Sequence, residues 1–323
     1  MSGQMECIAL VWEISKLCPR RGKRHGLWIG GLALLILTGI PAARATEVPS
    51  AGDAVADAGE AVEMEHGKIN TPDASPVDPG HVEVEAGYTT ARSTRYWDNQ
   101  GETWNRGLAR EQATTLAVTA GVVENVDVAV GGGYVWLKDE ENDYAEGDGV
   151  VGPTRGHDWG DMDISVRYRF FARDELSLEL AYIAGLTLPA GSDSSANSMG
   201  TSQEYWSINQ TVVASKDWDR WTANLALGYA LPVGDKREQA RGTFNADAAL
   251  GYQALLWLQP EVEINYSYDV VSVGDDAAVV AVTAGLVMPV SDRLRINAGV
   301  QQGLWGSNAD KATTLSLALK LAF

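Results

Sequence analysis

Hydrophobic and polar side chains alternate with a period of two through most of the chain beyond residue 80. In 313–323, TTLSLALKLAF, residues Leu315, Leu317, Leu319, Leu321 and Phe323 share one face. Ser316, Ala318, Lys320 and Ala322 share the other, which is the pattern of a strand. The same alternation predicts strands over 81–90, 113–122, 126–136, 161–170, 176–186, 206–215, 221–231, 244–252, 261–270, 280–288 and 294–304. Segment 261–270 is the clearest: Val262, Ile264, Tyr266, Tyr268 and Val270 oppose Glu261, Glu263, Asn265, Ser267 and Asp269. These segments bring the strand count to twelve, an even number.

The connections sort by parity. Long polar segments follow odd strands, at 92–107, 138–160, 189–204, 234–242 and 306–312. Short links follow even ones, at 123–125, 172–175, 216–220 and 290–293. A secreted β-sandwich has no reason to separate its loops in this way, whereas an outer-membrane barrel has long outer loops and short periplasmic turns. The expected fold is therefore all-β: one closed antiparallel up-and-down transmembrane barrel of about twelve strands over 81–323. No open sheet edge is tolerated in hydrocarbon, so the last strand must pair with the first.

The residue types decide which face meets lipid. The apolar faces suit acyl chains. The opposite faces hold ten acids, Glu83, Glu85, Asp127, Asp161, Asp163, Glu179, Asp247, Glu261, Glu263 and Asp269, and four bases, Arg167, Arg169, Arg295 and Lys320. These fourteen are the expected lumen-lining residues, with cross-strand pairs such as Asp163, Arg167 or Arg169 with Glu179. Aromatics near the strand ends fit two interfacial girdles. Trp136, Trp159, Trp206, Tyr268 and Trp305 map to the outer rim, and Phe170, Trp221, Tyr252, Trp257 and Phe323 to the inner one.

Charge and cysteine usage narrow the compartment and the partners. The formal charge of the 323 residues is −18, which argues against nucleic acid. Arg20, Arg21, Lys23 and Arg24 precede the apolar run 27–40 and the small-residue site Ala43-Arg44-Ala45, the layout of a secretory signal over 1–45. Its long basic region is consistent with a translation start further downstream. Removing its six basic and two acidic residues takes the charge from −18 to −22. Cys7 and Cys18 leave with it, so no disulfide framework, Cys-based zinc site or Cys nucleophile is expected. Residues 46–80 carry eight acids against Lys68, with Pro49, Pro72, Pro76 and Pro79. They are expected to form a solvated, poorly ordered periplasmic lead-in, with a short helix over 54–65 as the alternative, packed at the barrel mouth or plugging it.

Candidate chemistry outside the lumen is sparse. His157, in RGHDWGDMD beside Asp158, Asp161 and Asp163, would be the base of a rim hydrolase. A solvated loop histidine is the plainer expectation. The acidic run 139–149 lacks the spacing of an EF-hand loop. No catalytic residue, metal site or cofactor is expected.

Several blocks resemble a known family. These are 69–88 (INTPDASPVDPGHVEVEAGY), 160–170 (GDMDISVRYRF), 180–191 with Leu-Pro-Ala-Gly, and 224–234 with Gly-Tyr and Pro-Val-Gly-Asp. They are similar to the outer-membrane proteins named for the MetA pathway of phenol degradation, a likeness extending over roughly 69–323. The resemblance implies a barrel acting as a transporter or channel for aromatic or other hydrophobic compounds, with no catalytic residues to carry over. The expected protein is a channel of the Gram-negative outer membrane passing small solutes through an acidic lumen. Its partners would be membrane lipid, the solute, and the barrel assembly machinery through Phe323. The competing expectations are a closed structural or adhesive barrel and the rim hydrolase.

Overall fold

The computed structural model describes residues 68–140, 155–195, 198–234, 240–272 and 274–323. The expected leader, the 54–65 segment and the acidic run beyond Glu140 lie outside them.

Thirteen strands follow one another: β1 (Val82–Trp97), β2 (Thr103–Val123), β3 (Val126–Asp139), β4 (Arg155–Trp159), β5 (Met162–Arg173), β6 (Leu178–Leu188), β7 (Trp206–Trp218), β8 (Trp221–Val233), β9 (Ala240–Tyr252), β10 (Gln259–Val271), β11 (Ala277–Ser291), β12 (Leu294–Ser307) and β13 (Ala309–Ala322). β4 and β5 both pair with β3, at its outer and inner ends, and form one interrupted stave. The wall is therefore a twelve-stave antiparallel barrel, each stave paired to its sequence neighbour.

Pairing of β1 with β13 closes the sheet, running from Glu83↔Ala322 to Trp97↔Ala309. Phe323 N donates to Val82 O at 2.9 Å and Val82 N donates to Phe323 O at 3.2 Å, so the seam is bonded to its periplasmic end. Closure satisfies the backbone groups that an edge would expose to lipid.

The faces divide as the alternation predicts. Leu116, Val118, Val130, Ile164, Val166, Tyr168, Val212, Leu227, Val262, Val300, Leu315 and Leu317 are all exposed, while Asp127, Asn224, Glu261, Glu263, Thr283 and Asn297 are buried. A soluble protein would reverse this arrangement. Trp136, Trp159, Trp206 and Trp305 stand exposed at outer strand ends, and Phe170, Trp221, Trp257 and Phe323 at inner ends. The rings of Trp221 and Tyr252 pack at 4.7 Å between centroids.

Two expected loops are largely strand. Of 92–107, β1 and β2 take all but 98–102, where Asp98 Oδ1 accepts the amides of Gln100 and Glu102 and Oδ2 accepts Trp104 Nε1. Of 306–312, the turn is Asn308, with φ +49°. These hairpin ends rise above the bilayer. Backbone hydrogen bonding continues into them without the apolar alternation that marks a strand in sequence, and one face packs locally, with Ser93 and Trp97 buried and the Trp97 ring set against Gly303 and Gly306.

Candidate functional site

Residues 68–80 do not trail into solvent. They run around the inner wall toward its periplasmic end, touching stave after stave. Lys68 O accepts Asn297 Nδ2 from β12 at 3.2 Å, and Asn70 Nδ2 donates to Thr283 Oγ1 of β11 at 2.9 Å. Pro72 O accepts Asn224 Nδ2 of β8, and Ala74 N donates to Ser215 Oγ of β7 at 2.8 Å. Ser75 Oγ donates to Glu179 Oε2 of β6 at 2.6 Å, and Val77 N to Asp127 Oδ2 of β3 at 3.0 Å. Gly80 N finally donates to Gly121 O of β2 before the chain enters β1. Lys68, Thr71, Ala74 and Val77 are buried by this path. The expectation of a solvated lead-in therefore fails for 68–80. A segment with Pro72, Pro76 and Pro79 cannot make its own ladder, and the wall side chains satisfy its backbone instead.

Two ionic nodes hold the ring. At the first, Glu263 Oε1 accepts the amides of Ile69, Asn70 and Thr71 at 3.0, 2.9 and 3.2 Å, while Glu261 Oε1 accepts Ile69 N at 3.0 Å. Lys68 Nζ lies close by, donating to Thr222 Oγ1 at 2.9 Å. Burial pushes the Lys68 ammonium below its ordinary pKa, with Glu261, Asp217, Asp73 and Glu263 opposing that shift. At the second node, Arg167 reaches Asp73 Oδ1 at 2.5 Å, Ser75 O at 2.7 Å and Asp127 Oδ2 at 3.1 Å. Burial disfavours ionised Asp73, but the charge of Arg167, aided by Lys320, Arg295 and Lys68, holds its carboxyl below the usual range.

Glycine lets the segment lie flat against the wall. A Cβ on Gly121 would strike the carbonyl oxygens of Val77 and Asp78, and one on Gly285 would strike Ile69 and Ala298 O. Backbone approach this close leaves no room for a side chain.

The remaining expected lumen residues spread along the interior. Arg169 Nη1 pairs with Glu179 Oε1 at 2.6 Å, one of the expected cross-strand pairs, whereas Arg167 turns to Asp73 and Asp127 instead. Lys320 Nζ pairs with Glu83 at 2.5 Å and stands between Glu85 and Arg295 in the strand register. Asp163 accepts Thr187 Oγ1, Asp247 accepts Asn265 Nδ2, and Asp269 accepts Thr243 Oγ1. Asp161 sits higher and accepts the amides of Gly191 and Gln203, tying down the segment after β6. The alternation misses Ser215, Thr222, Asn224, Thr283 and Asn297, neutral inward residues that complete the groove. Ser215, Thr222, Asn224 and Asn297 lie close to a strand end, their one signal, whereas Thr283 stands in the middle of β11 and has none.

A periplasmic-rim cleft of about 500 Å³ lies between the β7–β8 and β9–β10 turns, lined by Asp217, Trp221, Thr222, Gln253, Leu255 and Gln259. Thr222, the partner of Lys68, belongs to both cleft and ring.

The rim-hydrolase arrangement does not assemble. His157 lies on β4 facing outward, its Nδ1 3.0 Å from Tyr134 Oη. Asp158 falls on the opposite face and accepts Trp159 N, and Asp161 is engaged with the segment after β6. Strand alternation separates the neighbours that the sequence places side by side. Among the described residues no group of three or more His, Cys, Asp or Glu could hold a metal ion.

Residues 67–321 match the model of the family described as putative MetA-pathway of phenol degradation. The chain belongs to this family. No curated protein matches it. Among solved structures it is similar to the COG4313 outer membrane channel from Pseudomonas putida F1, at 11% identity and TM-score 0.67, covering 79% of this chain and 100% of that one. It is also similar to the NanC porin, at 11% identity and TM-score 0.45, covering 75% of this chain and 98% of that one. The translocator domain of the autotransporter NalP from Neisseria meningitidis matches at 12% identity and TM-score 0.40, covering 76% of this chain and 89% of that one. This member of the phenol-degradation family is thus a closed barrel of the Gram-negative outer membrane. Its lipid-facing side chains and its interior are sorted as that location requires.

Proposed function

We propose that this member of the phenol-degradation family is a channel conducting small solutes across the outer membrane. Residues 68–80 would set its narrowest point. The observation that carries this reading is the hydrogen-bonded ring of 68–80 against a polar interior wall. It narrows the lumen around most of its wall, while acids outnumber bases along that wall. A narrow, net-acidic bore slows anions and favours small cations and neutral molecules. The family description directs the substrate class toward phenol-like aromatic compounds, which are small and neutral below their pKa. The structure of the P. putida channel carries the name of a channel, which agrees with this reading.

Planar-bilayer recording tests it. The purified full-length protein should give a small conductance with a reversal potential showing cation preference. Uptake of radiolabelled phenol into proteoliposomes should exceed that into empty liposomes. Conductance and uptake no greater than in protein-free membranes would overturn the channel and leave the closed structural barrel, the reading favoured by how tightly the ring is held. The terminal strand, bonded to β1 through Phe323, would be the element recognised by the barrel assembly machinery. Deleting Phe323 should lower the folded yield in the outer membrane without changing secretion.

A further inference from the structure

The strand register sets four basic residues side by side on the outside of the barrel. Arg92 of β1 lies directly opposite Arg110 of β2, Arg110 opposite Lys138 of β3, and Lys138 opposite Arg155 of β4. Residues paired across strands share a face, as do residues an even number apart within one regular strand. Arg92 is four from Tyr88, Arg110 six from Leu116, Lys138 two from Trp136 and Arg155 four from Trp159, and all four of those marker residues are exposed outward. The bases therefore form one row on the lipid-side wall, near its outer rim. Spanning three strand spacings, the row is roughly 14 Å long.

The layers beneath it are ordered by depth. The next row down is Thr90, Gln112, Trp136 and His157, and below that come Tyr88, Thr114, Tyr134 and Trp159. Tyr134 packs on Trp136 at 4.7 Å and on Trp159 at 6.0 Å between ring centroids. Deeper still stand Leu116, Val118, Val130 and Ile164, all exposed.

Folding alone does not favour such a row. Like charges directly across an antiparallel pair destabilise it. Among the described residues one acid, Glu140, engages the row, as the partner of Lys138 and within the field of Arg155. Arg92 and Arg110 have no acid partner among the described residues. In a chain of formal charge −18, four adjacent outward bases mark a place where an anion belongs.

We propose that this wall binds a phosphorylated glycolipid of the outer leaflet, of the lipid A type. Its phosphates would meet the Arg92–Arg155 row, its sugars the Trp136, Tyr134 and Trp159 rings, and its acyl chains the leucine and valine band. Guanidinium groups match phosphate oxygens two at a time, and aromatic rings at an interface accommodate sugar faces. The site lies at the end of the barrel away from the periplasmic turns, which selects the outer leaflet over an inner-leaflet phospholipid.

Native mass spectrometry of the detergent-purified full-length protein with added lipid A tests the assignment. Wild type should retain bisphosphorylated lipid A through detergent exchange. The R92Q/R110Q/K138Q/R155Q variant should bind it about a thousandfold more weakly, given roughly 1 kcal/mol per base near an anionic surface. Equal retention by a variant that still migrates as a folded barrel would overturn the proposal. A second arm needs no variant: wild type should bind enzymatically dephosphorylated lipid A and phosphatidylglycerol much less tightly. Equal binding of dephosphorylated lipid A would overturn the role of phosphate. Equal binding of phosphatidylglycerol would overturn the choice of glycolipid.

Discussion

Both carboxylate oxygens of Glu263 accept the backbone amide of Asn70, at 2.9 and 3.1 Å, from a side chain with no exposed surface. A buried carboxylate with several amide donors is stable only while those donors stay. The wall and the inner segment therefore fix each other, and loosening one loosens the other.

Glu263→Ala should release residues 69–71. Each charged hydrogen bond to a backbone amide contributes about 1.5–3 kcal/mol, so thermal unfolding should shift downward. Conductance in planar bilayers should rise severalfold as the segment leaves the wall. Glu263→Gln keeps one acceptor oxygen and should fall between the two.

Arg167 bridges Asp73 and Asp127, and Asp127 is 2% exposed. Arg167→Met leaves two acids unpaired and should cost about 3–5 kcal/mol in denaturant unfolding. Arg167→Met combined with Asp127→Leu removes one stranded charge and should recover part of that loss. A double variant as unstable as the single one would contradict this account of the node.

Asp73 and Lys68 each contribute docking strength to 68–80 that grows as pH rises, in two separate windows. The Asp73 pKa is held below its ordinary value of 3.8 in the folded chain. Its stabilisation is therefore fully present above that value and lost as pH falls through the depressed one. Lys68 is also lowered, from 10.5, so its buried charge costs stability below the folded pKa. That cost is relieved as pH rises through the depressed value. Limited proteolysis of the segment across pH should show increased cleavage in acid, and Asp73→Asn should weaken that acid dependence.

Gly121→Ala places a methyl group against the carbonyls of Val77 and Asp78, which are backbone and cannot rotate away. The segment should lift from β2, making 77–80 accessible to protease while the heat-modifiable migration of the folded barrel persists. Unchanged protease resistance would show that the segment yields in some other way.

Much of the barrel is legible in the sequence because its wall separates two different solvents. Val262, Ile264 and Tyr266 face lipid while Glu261, Glu263 and Asn265 face the interior, so each strand records both environments at a period of two. The rule fails where that contrast vanishes. Toward the outer end, residues 92–97 and 103–107 no longer divide between lipid and interior and read as loop, yet they are strand, with Ser93 and Trp97 buried. At β4, alternation itself undoes the grouping of His157 with Asp158 that proximity in sequence suggests.

The sequence by itself determined the barrel, the closure of its last strand on its first, and which side chains meet lipid, because these follow from periodicity within each strand. Only the tertiary structure decided that residues 68–80 line the wall and that Arg92, Arg110, Lys138 and Arg155 stand in one row. The inner segment has no period of its own, and its partners lie as far as 229 residues away at Asn297. The basic row depends on register between strands, a quantity no single strand encodes.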